Sequence, residues 1–562
     1  MRSRSLLLSS LCTLTACGGV VDVDETALTS EEPYALTIPE VGAASFDPDS
    51  STVQPAPAEA EGFNDVAETA PVADCSSSCV DLRPQATAAE NRRLLQSCLN
   101  RCDFARLHPG AVFRLEAPIT VPSGALLTTE GAGPDTAWAE VRAIGTPRFA
   151  SNRLVTVCSR TASNGCGRGE LDVGGTLRFL KLNMNNVTSE VRPNSVVNVD
   201  GRHNLLEHVE LFNPLERHVI PRCGATVGPV NHHSGLAFNP GDQDNVVRHA
   251  KLHGLVLGVV FGAGLTSASN NVVEDSELFL NRSNPITFAG FGIVRRNHIH
   301  DNGWCVGDGL EGGAIYCARN HNGAVLADNE IHDTCRDVID FDDCWHMKVL
   351  DNHLYNPGTR RFPAPVGEVG AKCNSAATMR TGVPRYSTYA RNRVENQGRD
   401  WNTVGVHFPN DDRFSASGAA PYSDLPDGRR QSLAYLMVKR RDQGSFAAIG
   451  NDIRDNTFLA TCDSSACVGM GYYVARGTGL DVAGNWSAAT TNAFRGNRVG
   501  SSPRTSRRCG ANWYAGGAWA GTASLCAPGS TAQGCNADDF AHEGHDHGAV
   551  HSAFRNCGCR TY

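Results

Sequence analysis

A chain of 562 residues is long for one globular domain. With 41% apolar and 19% charged residues it is too apolar and too weakly charged for a disordered polymer. A net charge of −9 argues against nucleic acid held through a basic face. Past residue 17 no apolar run approaches the ~20 residues that a membrane-spanning helix needs.

Residues 1–16 read as a secretory signal, with Arg2 and Arg4 ahead of the short apolar stretch Leu6–Leu14. The segment Leu14-Thr15-Ala16-Cys17 resembles the bacterial lipobox, which implies lipid on Cys17, and the alternative is an ordinary signal peptide. Gly18 and Gly19 follow without the aspartate that holds many lipoproteins at the inner membrane, so the resemblance points to the outer membrane or cell surface. On this reading the only membrane partner is reached through the anchor, and the mature chain carries −11. Cys12 leaves with the signal, and the 19 remaining thiols besides Cys17 suit an oxidising compartment.

Residues 17–72, rich in Pro, Ala, Glu, Asp, Thr and Ser, read as a flexible acidic tether. Residues 73–105 hold two Cys-x-x-x-Cys pairs, Cys75/Cys79 and Cys98/Cys102. Positions i and i+4 share one helix face, so the spacing predicts a helical hairpin stapled by two disulfides, with Ala88–Asn100 as its second arm. Four thiols around zinc are the alternative.

From residue 106 to about 500 one phrase recurs. It appears at Leu206–Leu211, Val247–Leu252, Val273–Leu278, Val294–Ile299, Leu326–Ile331 and Leu350–Leu354, with looser copies at 390–394, 453–458 and 494–499. From Leu252 to Leu354 the steps between the closing apolar residues are 26, 21, 32 and 23. Strand–turn–strand units of this length stack on their neighbours. The spacing lines up Asn297, Asn329, Asn352, Asn392, Asn456 and Asn497 as a turn ladder. A second phrase precedes the first in each coil: Gly235–Phe238, Gly258–Phe261, Pro285–Phe288, Gly313–Tyr316, Val338–Phe341 and Gly405–Phe408. Together the two phrases resemble the right-handed parallel β-helix of the pectate-lyase-like superfamily. The resemblance rests on repeat form. It implies an all-β, single-stranded parallel β-helix with an extended sugar chain held in a groove along one sheet.

Strand side chains alternate, so the third and fifth positions of the second phrase face outward. The third-position column reads Ala237, Val260, Thr287, Ile315, Asp340 and then His407, and the fifth reads Asn239, Gly262, Ala289, Cys317 and Asp342. Apolar coils thus give way to Asp340 and Asp342, flanked by Asp337 and Asp343. Paired carboxylates can serve as general acid and base on a glycosidic bond, with His407 assisting. The same acids, Asp337 and Asp343 above all, could instead hold Ca²⁺. A solvated acidic turn is the plain alternative. Asp342-Asp343 looks like the acid pair of polygalacturonase-type hydrolases, but their companion motifs are absent, as is the Asp-Pro-His-Asp of alginate epimerases. The resemblance therefore implies a fold and no particular activity.

Lys439, Arg440 and Tyr473 fall near the same outward column and are the candidate substrate-binding residues. Asp308 and Glu311 sit in a Gly-rich loop before a strand. His298, His300, His332 and His353 fall on turn phrases of successive coils. Residues 501–562 read as a Cys- and His-rich cap or appendage, in which His542, His545 and His547 form a cluster able to bind Zn²⁺ or Cu²⁺. The functional expectation is a surface protein that binds a polysaccharide and cleaves it as a lyase or glycoside hydrolase. A non-catalytic carbohydrate-binding, adhesin or envelope protein is the alternative.

Overall fold

The computed structural model describes residues 75–145, 153–159, 166, 173–185, 187, 194–214, 233–303, 314–334, 338–342, 344–356, 377–382, 384–396, 434–439, 450–461, 472–474, 493–495, 498–502, 511–515 and 518–523. Within them the chain is a right-handed parallel β-helix. Each coil carries three short strands, for example Leu257–Phe261, Val272–Glu274 and Glu277–Phe279, followed by Ile286–Phe288, Ile293–Arg295 and His298–His300. The first of each set joins a thirteen-stranded sheet. The other two join a bent sheet of twenty-two strands, in which each strand pairs in parallel with its counterpart one coil away.

The recurring phrase is the bend itself. The residue between its two strands adopts a left-handed conformation at His249, Asp275, Arg296, Asp328, Asp351, Arg391 and Asp455, with φ between 50 and 57°. That conformation costs an L-residue about 1–2 kcal/mol, so the coil needs a compensating interaction at each bend. From Arg296 onward the next residue, an asparagine, supplies it. Asn297 donates through its amide to Asn329 Oδ1 at 3.0 Å, and its backbone N–H reaches the same oxygen at 3.0 Å. Asn329, Asn352 and Asn392 repeat the arrangement onto Asn352, Asn392 and Asn456. The predicted ladder is therefore formed over these five residues, while Asn497 lies outside the described residues. Ser276 extends it by one coil, since its Oγ accepts from Ala250 N and its N–H donates to Asn297. Two further ladders run alongside, Asn204–Asn245–Asn271 and Asn281–Asn302.

Inside the coils the closing apolar residues of the phrase, Leu252, Leu278, Ile299, Ile331 and Leu354, are completely buried. A column of Phe238, Phe261 and Phe288 stacks at 5.2 Å between ring centroids, and Cys317 and Phe341 continue it in register. Each buried phenyl contributes roughly 1.5–3 kcal/mol. Cys317 takes the place of a ring and is bonded to the buried Cys344. Gly292 lies against Phe261, where an added Cβ would meet the ring at 2.2 Å.

The predicted staple is present. Helices α1 (Cys75–Ser78) and α2 (Ala88–Cys102) are joined by Cys75–Cys102 and Cys79–Cys98. Thr87 caps α2 in a reciprocal box with Glu90, which saves two N-terminal donors from being orphaned. The apolar face of α2 buries Leu95, Cys98 and Leu99 in the core of the first coil. Its polar residues satisfy strand groups that would otherwise be open. Gln96 exchanges hydrogen bonds with Thr120 N and O, Asn91 donates to Arg114 O, and Arg92 donates to Pro118 O. The hairpin thus covers an edge that would otherwise invite pairing with another chain. At the other end, Ala511–Ala515 pairs in parallel with Tyr472–Val474, and Ala518–Ala523 pairs back on it antiparallel. Cys158 is bonded to Cys166. No helix among the described residues is long and apolar enough to cross a membrane.

Candidate functional site

Two faces of the solenoid gather chemically capable residues. The first is the outward face of the thirteen-stranded sheet. Strand register makes one column of Asn198, Ala237, Val260, Thr287, Tyr316, Asp340, Arg380, Met437 and Tyr473. A neighbouring column carries Ala318, Asp342, Gly382 and Lys439. This corrects the sequence reading in two places. Tyr316 rather than Ile315 occupies the outward column, and Ala318 rather than Cys317 stands beside Asp342, because the phrase in that coil is shifted by one residue. The inward place of the phenyl falls to Cys317, one residue after Tyr316. The described strand that pairs with the Asp340 strand beyond it is Ala377–Gly382, which brings Arg380 opposite Asp340. Its sequence, Ala-Thr-Met-Arg-Thr-Gly, carries no Gly-h-x-Phe phrase.

Adjacent strands lie about 4.8 Å apart, so Asp340 is one strand from both Tyr316 and Arg380. Lys439 follows Asp342 by two strands, about 10 Å, and Tyr473 follows Asp340 by three. The column is not an open trough. Ala237, Val260, Thr287, Tyr316 and Asp340 are all buried, Asp340 to 2% exposure. His407, Arg440, Asp337, Asp343, Asp308, Glu311, Cys17 and the cluster His542, His545 and His547 lie outside the described residues.

The second face belongs to the bent sheet. Its last strand in each coil presents two parallel columns. One alternates acidic and basic side chains from Glu140 through Lys181, Glu210, Lys251, Glu277, His298 and Glu330 to His353, after which Arg393 ends the alternation. Opposite charges on facing positions stabilise a sheet. The other column is a stack of flat rings, Phe212, His253, Phe279, His300, His332 and Tyr355, with centroids 4.6–5.5 Å apart. The histidines expected on turns therefore stand on strands.

Cross-links between the columns set the charge states. Burial pushes the Glu210 carboxyl up, but His253 and Lys181, each 3.0 Å away, overcome it and hold the group at about 2. His300 bonds Asp301 through Nδ1 at 2.8 Å and Glu277 through Nε2 at 3.2 Å, and these two carboxylates outweigh burial and raise its pKa. His298 is lowered, first by burial and then by the imidazoles of His300 and His332. Glu330 is lowered, chiefly because it accepts from Tyr355 Oη at 2.8 Å. His332 Nδ1 bonds Asp333 at 2.7 Å, and its Nε2 lies 2.8 Å from His298 Nε2.

Among the described residues three groups place Glu and His ligand atoms within 4.8 Å of one another: Glu207–His208–His249, Glu277–His298–His300 and His298–Glu330–His332. None is the all-oxygen set that Ca²⁺ favours. In the first, the guanidiniums of Arg178 and Arg248 already hold Glu207. Sequence reasoning singled out the histidines but not Glu277, Glu330, Asp301 or Asp333. The triplet Ile-His-Asp, at 299–301 and again at 331–333, was the signal that could have found the last two.

No protein-family model matches the chain, and no curated protein matches it. Among solved structures it is similar to the A-module of the Azotobacter vinelandii mannuronan C-5 epimerase AlgE6, with 12% identity over 79% of this chain and 94% of that one and a TM-score of 0.43. It is also similar to the DFA-IIIase of Arthrobacter chlorophenolicus A6 in complex with GF2, with 9% identity, 72% and 92% coverage and a TM-score of 0.37. The Dettilon tailspike protein matches at 12% identity, 73% and 65% coverage and a TM-score of 0.35. At these scores no activity carries across.

Proposed function

We propose that this is an exported surface protein, lipid-anchored through Cys17, that binds an extended polysaccharide along the outward face of the thirteen-stranded sheet and cleaves it there. The observation that supports the reading is the register that sets Asp340 between Tyr316 and Arg380, beside the column of Asp342 and Lys439. Asp340 and Asp342 share a strand face and are separated by about 6.6 Å of strand rise. Acid and base carboxyls that flank a glycosidic bond stand roughly 5–9.5 Å apart, a span that two aspartates two residues apart on one strand can reach. Arg380 and Lys439 supply positive charge for a uronate, and Tyr316 or Tyr473 a phenol for proton transfer. Calcium bound by Asp337 and Asp343 would neutralise the same uronate.

A second reading has its own support. Burial of Asp340 and its column neighbours fits a carboxylate built into the wall of a binding or envelope protein. Incubating the protein with acidic and neutral polysaccharides, with and without Ca²⁺, separates the two. New double bonds absorbing in the ultraviolet together with reducing ends identify a lyase, and reducing ends alone a hydrolase. A folded protein that binds a polymer and releases nothing leaves the binding reading standing.

A further inference from the structure

We propose that His298, Glu330 and His332 bind one divalent transition-metal ion on the outer face of the bent sheet, with Asp333 as a positioning residue. His298 and Glu330 face each other on adjoining strands, and His332 follows Glu330 by two residues, which returns it to the same side. Their ligand atoms lie within 4.8 Å of one another. Two of the three donors are prepared by a neighbour. Asp333 accepts from His332 Nδ1, which fixes the tautomer and leaves the Nε2 lone pair facing His298 Nε2 at 2.8 Å. Metal-binding imidazoles almost always donate their other ring N–H to a carboxylate, a backbone carbonyl or water. Tyr355 donates to Glu330 Oε1 and leaves Oε2 for an ion.

His298 and Glu330 are exposed, so water can complete the coordination shell. Two imidazoles and one carboxylate suit Zn²⁺, Co²⁺, Ni²⁺ or Cu²⁺. The adjoining group that shares His298 is the poorer site, because Glu277 is already engaged at both oxygens, Oε1 by His300 and Oε2 by Lys251 at 3.3 Å.

The test is Zn²⁺ titration calorimetry on the full chain with His542, His545, His547 and His551 replaced by alanine, which silences the C-terminal cluster. One ion per chain is expected. In that background Glu330→Gln and His332→Ala should each weaken binding by at least tenfold, and Asp333→Asn by about 10–100-fold. With Cu²⁺, electron paramagnetic resonance should show nitrogen coupling that changes in Asp333→Asn, which a purely structural aspartate would not alter. Glu330 is exposed, so Glu330→Gln keeps the test decisive if His332→Ala fails to fold. Absence of binding in the four-alanine background overturns the proposal, as does unchanged affinity in a folded Glu330→Gln or His332→Ala.

Discussion

Replacing Asn329 with alanine tests the physical basis of the coil most sharply. Asn329 Oδ1 accepts from both the backbone and the side-chain amide of Asn297 at 3.0 Å. Its own amide donates to Val294 O, Ala327 O and Asn352 Oδ1 at 2.9–3.0 Å. Alanine leaves the buried Asn297 N–H without its acceptor, which costs about 1–3 kcal/mol, and removes further bonds at about 0.5–1.5 kcal/mol each. The expected total is about 3–5 kcal/mol. Serine should cost about half as much, because Ser276 already fills the equivalent place one coil before Asn297 and accepts from Ala250 N at 3.0 Å. Urea titration followed by circular dichroism measures the global loss. Hydrogen exchange at the Asn297 amide measures the local one, expected to accelerate at least a hundredfold since each 1.4 kcal/mol is about tenfold. A loss below about 1 kcal/mol, or equal losses for serine and alanine, would show that the ladder does not hold the bends.

Other consequences can be measured on the same material. Gly292→Ala drives a Cβ to 2.2 Å from the Phe261 ring and should destabilise by about 2–3 kcal/mol, seen as a lower urea midpoint. Glu210 has a folded pKa of about 2 against an ordinary 4.5, so its contribution is present above pH 4.5 and is lost as pH falls towards 2. After allowance for partial exposure that contribution is about 2 kcal/mol. Glu210→Gln should flatten the acid limb of the stability profile over that window, and an unchanged limb would refute the ion-pair assignment.

Much of the fold was legible in the sequence because coil stacking imposes the same demand at every coil, every 21 to 32 residues between Leu252 and Leu354. Each bend needs a left-handed residue followed by an amide that reaches the next coil, and Asn297, Asn329 and Asn352 record that need directly. The cysteine pairs were legible for a similar reason, since i and i+4 spacing admits few geometries. Register was less so. Cys317 replaces a phenyl inside the Phe column, and this hid the one-residue shift that carries Tyr316 outward. Arg380 was missed because its strand shares a register with Asp340 but no phrase. The Glu–His cluster draws on strands from three coils, and only pairing reveals that Glu277 faces His298 and His298 faces Glu330.

The most direct test of the proposed activity compares wild type with Asp340→Asn on a polysaccharide that the wild type degrades, measuring cleavage rate and affinity on the same samples. The account predicts that Asp340→Asn binds the polymer within a few-fold of wild type while its turnover falls by about 10²–10⁴, the range typical of a lost acid or base. An Asp340→Asn protein that cleaves at the wild-type rate, or a folded wild type that releases nothing from any polymer it binds, would contradict it.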